Sequence, residues 1–325
     1  MNAFIEKVRK ALKRRLKYWT WTQVIWLCQQ EYFRWRMRYM NPKQRNRTLQ
    51  SLSKKIVQAE GKCALTVTFG ARYFGNRDNL LENFINSFLK MTEDYLRVEI
   101  LIKVDLDDNL LFFHRIKEKY GSKINLCFFP SERGGGYADM HIWHTTLMKH
   151  RTHSSKALVI LTEDAEFVFK HWDRNLMDLI DALPHPYFIG APCSLEETIS
   201  ILGPNPVIPV PIYWIRGDDY PVVSFQLLEV TGRVAQQYPG WTAMGNLLLV
   251  DGFSGDLLRS MWLRHKVNSH FEFPQLFQRL GIFSWSESPQ RAKLRNDSLI
   301  KFFLKENQAV RDEMADAIVQ EINHH

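Results

Sequence analysis

The chain has 325 residues, of which 45% are hydrophobic and 24% charged, which excludes a disordered, collagenous or coiled-coil protein and leaves ample length for a buried core. Its four cysteines, Cys28, Cys63, Cys127 and Cys193, are scattered with no C-x-x-C pair, which argues against a disulfide framework or a cysteine-held zinc and for a reducing compartment. The net charge of +8 hides an asymmetry: residues 1–55 carry 15 Lys/Arg against only Glu6 and Glu31, a local surplus of 13, and the remainder is net −5.

The first segment places Phe4, Val8, Leu12 and Leu16 at helical spacing among Lys7, Arg9, Lys10, Lys13, Arg14, Arg15 and Lys17, which predicts a basic amphipathic helix. Trp19, Trp21, Trp26 and Trp35 follow, with Arg34, Arg36 and Arg38. The longest purely apolar run, Val24–Cys28, is five residues, far short of the roughly 20 of a membrane span. No apolar stretch of signal-peptide length follows the basic residues. We therefore expect residues 1–58 to form a helical arm whose partner, through residues 1–55, is an anionic membrane surface, which Lys/Arg attract and Trp/Tyr rings suit. Two other readings are a solvated helix packed on its own domain and a single-strand nucleic-acid binder. Because no recognition module follows the arm, no specific nucleic acid is expected as a partner.

From Cys63 the texture changes. Cys63–Phe69 predicts a strand, Asn79–Met91 a helix, Val98–Val104 a strand, Asn109–Tyr120 a helix, and Ile124–Phe129 a third strand. A glycine loop, Arg133-Gly134-Gly135-Gly136, opens a helix through about Lys149, and Ala157–Leu161 is a fourth strand. Strand and helix in alternation imply βαβ units and a mainly parallel sheet flanked by helices. Ligands then bind beyond the carboxyl ends of the strands. Those ends carry Phe69–Arg77, Asp105–Asp108, Ser131–Gly136 and Glu163–Glu166.

Residues 183–221 hold eight of the 13 prolines and predict a boundary or a long irregular excursion. Further on, Gly245 and Asn246 precede the apolar run Leu247–Val250, and then come Asp251 and Asp256. A helix is expected through Trp262. The Phe271–Pro274 stretch leads into another helix through Leu280, with Gly281 at its end. Residues 297–322 show a last helical pattern. The expected organisation is an arm (1–58), an α/β domain (59–290) and a helical tail (291–325).

Glu163-Asp164-Ala165-Glu166 puts several carboxylates in a short turn at a strand end. Asp164 and Glu166 can hold one hard divalent cation, Mg or Mn, which completes its shell with waters and substrate phosphates and neutralises a diphosphate leaving group. Asp105 can accept hydrogen bonds from a base N–H or a ribose hydroxyl, or serve as a turn or helix-cap residue. The glycine loop lets backbone N–H groups approach an anion, yet it lacks the dinucleotide and P-loop patterns. His141 and His144 sit three residues apart with no third ligand and read as structural.

The order of these signals resembles GT-A glycosyltransferases of the family 2 type. The stretch from Asn76-Arg77 through Leu80-Leu81 to Ser87-Phe88-Leu89 is similar to the first helix of that family. VEILIKVDLDD resembles its strand ending in V-D-D, which implies that Asp105 contacts the nucleotide base. GGGYADMHIWHTTL resembles its glycine-rich helix start, with Ala138-Asp139 where Ala-Arg is usual. ALVILTEDAEF resembles its metal-motif strand, here with Glu166 in place of the second Asp. Gly245-Asn246 is similar to its acceptor-side segment. HFEFPQLFQRLGI resembles its E-D-x-D helix and puts Glu272 at the catalytic-base position.

The resemblance covers about residues 63–285 and implies a GT-A-like fold in which a sugar passes from a nucleotide-diphosphate sugar to a glycan or lipid-linked hydroxyl. With one base and no covalent nucleophile, it implies inversion. The implied donor site comprises Phe69, Gly70, Arg77, Asp105, Gly135, Gly136, Asp139 and Glu163, with Asp164 and Glu166 at the metal. Gly245 and Asn246 lie on the acceptor side. Asp251 and Asp256 are rival bases to Glu272. Such an enzyme, held by its basic arm, is expected at the inner, cytoplasmic face of a membrane in polysaccharide synthesis. The rivals are a degenerate GT-A domain serving as a scaffold and a nucleotidyltransferase. The latter lacks the lysine it needs after Gly70-Ala71-Arg72.

Overall fold

The computed structural model describes residues 39–56, 61–71, 73, 79–131, 149–161, 165–195, 219–235, 237, 268–270, 273–279 and 308–324, with 28, 32 and 35. The arm ends in helix α1 (Pro42–Ser53), which has proline in its first turn and Asn41 as its cap, the Asn41 side chain accepting from Lys43 N at 2.9 Å. Leu52 at the end of α1 is fully buried, so this part of the arm is fastened to the domain.

Strand β1 (Leu65–Ala71) pairs in parallel with β2 (Val98–Asp105), and β2 pairs in parallel with β3 (Asn125–Ser131). On its other side β1 pairs in parallel with β4 (Ala157–Ile160). Every residue of β2 is buried, Glu99 and Lys103 included, as expected of a strand covered on both faces. Helices α2 (Asn79–Met91) and α3 (Leu110–Tyr120) make the crossovers. In α2 the buried Leu80, Leu81, Phe84, Ile85 and Phe88 recur at helical spacing. At the start of α3, Asn109 Oδ1 accepts from Phe112 N at 3.2 Å. These elements match the predicted strands and helices, with ends shifted by a residue or two.

The second half departs from expectation. After β4 come β5 (Ala165–Phe167), helix α4 (Trp172–Ala182), β6 (Tyr187–Leu195), β7 (Asp219–Ser224) and α5 (Phe225–Ala235). Strand β7 runs antiparallel between β4 and β6. Both margins of the proline-rich stretch are therefore regular strands. Pro192 and Pro221 sit in alternate pairs of one ladder, Pro192↔Asp219 and Gly190↔Pro221, so the two breaks in hydrogen-bonding capacity share one parity.

Strands β8 (Asn268–His270) and β9 (Phe277–Arg279) both run parallel to β6, and β9 also pairs antiparallel with β5. The helix predicted from Pro274 to Leu280 is thus corrected to a strand over Phe277–Arg279. Phe277 is fully buried, with its ring 4.9 Å from that of Phe167, and this packing outweighs a helical pattern that has no tertiary support. The C-terminal helix α6 (Gln308–Asn323) falls within the predicted tail and is tied to α5 by Arg233 and Glu321, 3.1 Å apart. Helices α4 and α5 were not anticipated. The described strands join in the order β3-β2-β1-β4-β7-β6-β9-β5, with β8 also on β6. This α/β architecture, a mainly parallel sheet flanked by helices, is the class the strand and helix alternation implied.

The core is aromatic. Phe167 stacks on Trp172 at 4.6 Å and meets Phe84 and Phe88 at 5.6 and 5.7 Å, and Phe84 meets Phe69 at 4.7 Å. The indole N–H of Trp172 donates to Thr92 Oγ1 at 2.9 Å, so the buried polar atom is satisfied.

At the amino ends of the strands lies a buried polar cluster. The fully buried Glu99 accepts from Lys55 Nζ at 2.7 Å, Thr66 Oγ1 at 2.6 Å, Thr152 N at 2.8 Å and Thr152 Oγ1 at 2.7 Å. One carboxylate thus joins the short segment after α1, strand β1 and the segment leading into β4. Beside it, Lys117 Nζ donates to Lys54 O at 2.7 Å and to Leu126 O. Burial pushes the Cys63 and Cys127 thiols up, with Glu99 adding to the shift. Both stay protonated and inert at neutral pH.

Candidate functional site

The carboxyl ends of β1, β2 and β3 form one edge. Partners in a parallel ladder present their side chains to the same face. The pairs Gly70↔Lys103, Lys103↔Phe129 and Asp105↔Ser131 therefore place Gly70, Lys103, Asp105, Phe129 and Ser131 together on one face. Lys103 Nζ and Asp105 Oδ1 form a short ion pair, with both side chains buried. Across the register from Asp105, Ser131 Oγ is buried and has no hydrogen-bond partner among the described residues. A Cβ built on Gly70 would meet nothing within 4 Å, so the missing side chain leaves open space in that face. This is the role glycine plays in a strand that another group approaches closely.

The turns beyond the edge are braced by Asp108. Its Oδ2 accepts from Tyr73 N at 2.9 Å and its Oδ1 from Asn109 N at 2.7 Å. This fully buried carboxylate locks the exit of β1 to the start of α3 and is structural. Leu106 N donates to Ser131 O at 2.8 Å and continues the β2–β3 ladder past Asp105.

Of the expected donor residues, Asp105 and Gly70 lie together on this edge. The expectation for Phe69 is corrected as far as its side chain goes. The ring is fully buried against Phe84, so only the main chain of that residue can face a ligand. Glu166 lies in β5, paired with Gln278 of β9. Its neighbours Ala165 and Phe167 are buried, whereas Glu166 is partly exposed and its carboxylate has no partner among the described residues.

Among the described residues no three His, Cys, Asp or Glu side chains cluster as a metal set, and Asp164 lies outside the described residues. So do Arg77, Gly135, Gly136, Asp139, Glu163, Gly245, Asn246, Asp251, Asp256 and Glu272, along with His141 and His144. Glu272 directly precedes Phe273, which is buried against Phe169 at 6.0 Å in a stretch that is not helical.

Sequence reasoning passed over Lys103. The signal was there: in VEILIKVD, a strand apolar enough to be buried on both faces, each charge needs a buried partner. Asp105, two residues on and on the same face, is that partner for Lys103.

His150, at the far end of the glycine-loop segment, stacks on Phe129 with centroids 4.2 Å apart. Burial, with Lys55 and Lys149 adding, holds its imidazole below the usual histidine value of 6.5. The protonated form is thus disfavoured in the fold. This penalty is absent well above pH 6.5 and grows as pH falls through 6.5 towards the lower folded value. His150→Phe keeps the stacking and removes the titration. Denaturant midpoints measured from pH 7.5 down to pH 5 are expected to fall less steeply for this variant than for the parent.

No family model matches the chain, and no curated protein matches it. The fold is similar to that of solved structures at low identity. One is TarS 1–349 from S. aureus, 12% identical over 79% of this chain and 70% of that chain, with a TM-score of 0.45. The complex of TarS 1–349 with UDP-GlcNAc gives 12% identity over 78% and 70%, with a TM-score of 0.46. Another is the mannosyltransferase PcManGT from Pyrobaculum calidifontis in complex with GDP-Man and Mn2+, 12% identical over 93% and 85%, with a TM-score of 0.46.

Proposed function

We propose that the chain is a glycosyltransferase that moves a sugar from a nucleotide-diphosphate sugar to a hydroxyl of a glycan or lipid-linked acceptor. The observation that carries this reading is the buried Asp105 at the carboxyl end of β2, with Ser131 Oγ unsatisfied across the ladder and open space at Gly70 beside it. A carboxylate and a hydroxyl at this edge suit the N–H and carbonyl groups of a nucleotide base. The motif order from Asn76 to Gly281 supports it as well.

In this reading Lys103 holds the Asp105 carboxylate while that carboxylate accepts from the base. Arg77, Gly135, Gly136, Asp139 and Glu163 surround the rest of the donor. A divalent cation held by Asp164 and Glu166 would supply positive charge to the diphosphate as it leaves. Glu272 takes the acceptor hydroxyl proton while that oxygen bonds to the anomeric carbon from the side opposite the leaving group. The carbon–oxygen bond to the diphosphate breaks, its electron pair leaves with the nucleoside diphosphate, and the sugar configuration inverts. Gly245 and Asn246 face the acceptor. Among the described residues no helix is long and apolar enough to cross a membrane, and the basic arm would bring the enzyme to the membrane that carries its acceptor.

Thermal unfolding with a panel of nucleoside diphosphates and nucleotide sugars, with and without Mg2+ or Mn2+, tests this. A ligand at 100 times its Kd adds about 2.7 kcal/mol. We expect one nucleotide to give a metal-dependent shift that disappears in Asp164→Ala and weakens in Glu166→Ala. Folded protein that responds to no nucleotide would favour the scaffold alternative.

A further inference from the structure

Three polar side chains stand on one face at the carboxyl edge of β1, β2 and β3, and their order is specific. Asp105 is in the middle. Ser131 is its register partner on β3. Lys103, two residues earlier on β2, forms an ion pair with Asp105 Oδ1, and both side chains are buried. Ser131 Oγ is buried with no hydrogen-bond partner among the described residues. Leaving a buried hydroxyl unbonded is unfavourable, so this atom marks where a ligand group belongs. Gly70, the register partner of Lys103 on β1, leaves open space, which gives a flat ring room beside the row. The row reads donor, acceptor, donor: the Ser131 hydroxyl hydrogen, the Asp105 carboxylate and the Lys103 ammonium. A carboxylate oxygen has two acceptor sites, so Asp105 can accept from a ligand N–H while it keeps Lys103.

The complement of that row is a flat group that offers acceptor, donor, acceptor. Among the common nucleobases only uracil and thymine do so, through the imide edge of O4, N3–H and O2. Guanine offers O6, N1–H and an amino group, and it would set that amino group against the Lys103 ammonium. Cytosine sets its unprotonated N3 against the carboxylate, and adenine does the same with N1. Like groups that face each other in a buried site leave both without a hydrogen bond. We infer that Lys103, Asp105 and Ser131 select a uracil or thymine base, so that the sugar donor is a uridine or thymidine diphosphate sugar. This rests on the proposed glycosyltransferase reading and names the donor within it.

The test is calorimetric titration of the full chain with UDP, dTDP, GDP, IDP, CDP and ADP in the presence of Mn2+. Diphosphate and metal are common to all six, so the differences report the base. UDP or dTDP is expected to bind roughly tenfold to a hundredfold more tightly than GDP, CDP or ADP, and the comparison of UDP with dTDP shows which of the two bases fits. UDP methylated at N3 lacks the N–H that Asp105 accepts and is expected to bind at least about tenfold more weakly. IDP keeps the carbonyl and N1–H of guanine without its amino group, and is expected to bind more tightly than GDP. Ser131→Ala is expected to weaken UDP binding about tenfold, with the stability of the unliganded protein unchanged, because the hydroxyl has no partner to lose among the described residues. A preference for GDP, CDP or ADP overturns the base assignment. So does GDP binding more tightly than IDP, N3-methylated UDP binding like UDP, or Ser131→Ala binding UDP like the parent. Each of these leaves the glycosyltransferase reading standing. Folded protein that binds no nucleotide overturns both.

Discussion

Asp105→Ala is expected to abolish metal-dependent nucleotide binding and, separately, to destabilise the fold by about 3–5 kcal/mol, the cost of breaking a buried ion pair from one side. The partner left behind is Lys103, whose side chain is 6% exposed. The two effects come apart in the double variant Lys103→Met/Asp105→Leu. Removing both charges in favour of apolar groups of similar volume should return most of the stability. Nucleotide binding should stay lost, because no acceptor for a base N–H remains. Chemical denaturation and nucleotide titration on the single and double variants read the two quantities independently. A double variant that still binds nucleotide normally would remove Asp105 from the donor site and leave the pair a structural one.

The second large effect is expected at the opposite end of the sheet. Glu99→Ala removes the acceptor that Lys55, Thr66 and Thr152 share, with contacts of 2.6–2.8 Å, and leaves Lys55 and two hydroxyls facing a void. A loss of about 3–5 kcal/mol is expected, together with faster limited proteolysis near residues 54–56 and 149–156, because the carboxylate fastens both. Glu99→Gln keeps the shape and some of the bonds, and is expected to fall between the parent and the alanine variant. Equal stability for Glu99→Ala and the parent would mean that the cluster contributes nothing net. The cluster also bears on function, since it ties the end of the basic arm to the segment that follows the glycine loop.

The first half of the fold was legible because its signals were redundant. CALTVTF, VEILIKV, INLCFF and ALVIL are short apolar runs, and each became a strand of a parallel set, with the expected helices α2 and α3 between the first three. The rim at the strand ends followed from topology alone, and Asp105 and Gly70 were found on it. The second half was not legible. Prolines at 192 and 221 argue for loops locally, yet both occupy ladder positions of one parity. The QLFQR stretch reads as helix by spacing, yet Phe277 is held in a strand by Phe167 and by pairing on both sides.

The sequence by itself determined the α/β class, the order of the first strands and helices, the basic character of the arm and the candidate acids at the strand ends. Those depend on composition and on periods of two and 3.6 residues, which are local properties of the chain. Only the tertiary structure decided that Asp105 is paired with Lys103, that Ser131 and Gly70 share its face, that Phe69 points into the core, and that Glu99 joins three distant segments. Partnership of buried charges and the register of neighbouring strands bring together residues dozens of positions apart. Their energies arise only once the intervening surfaces are packed and water is excluded.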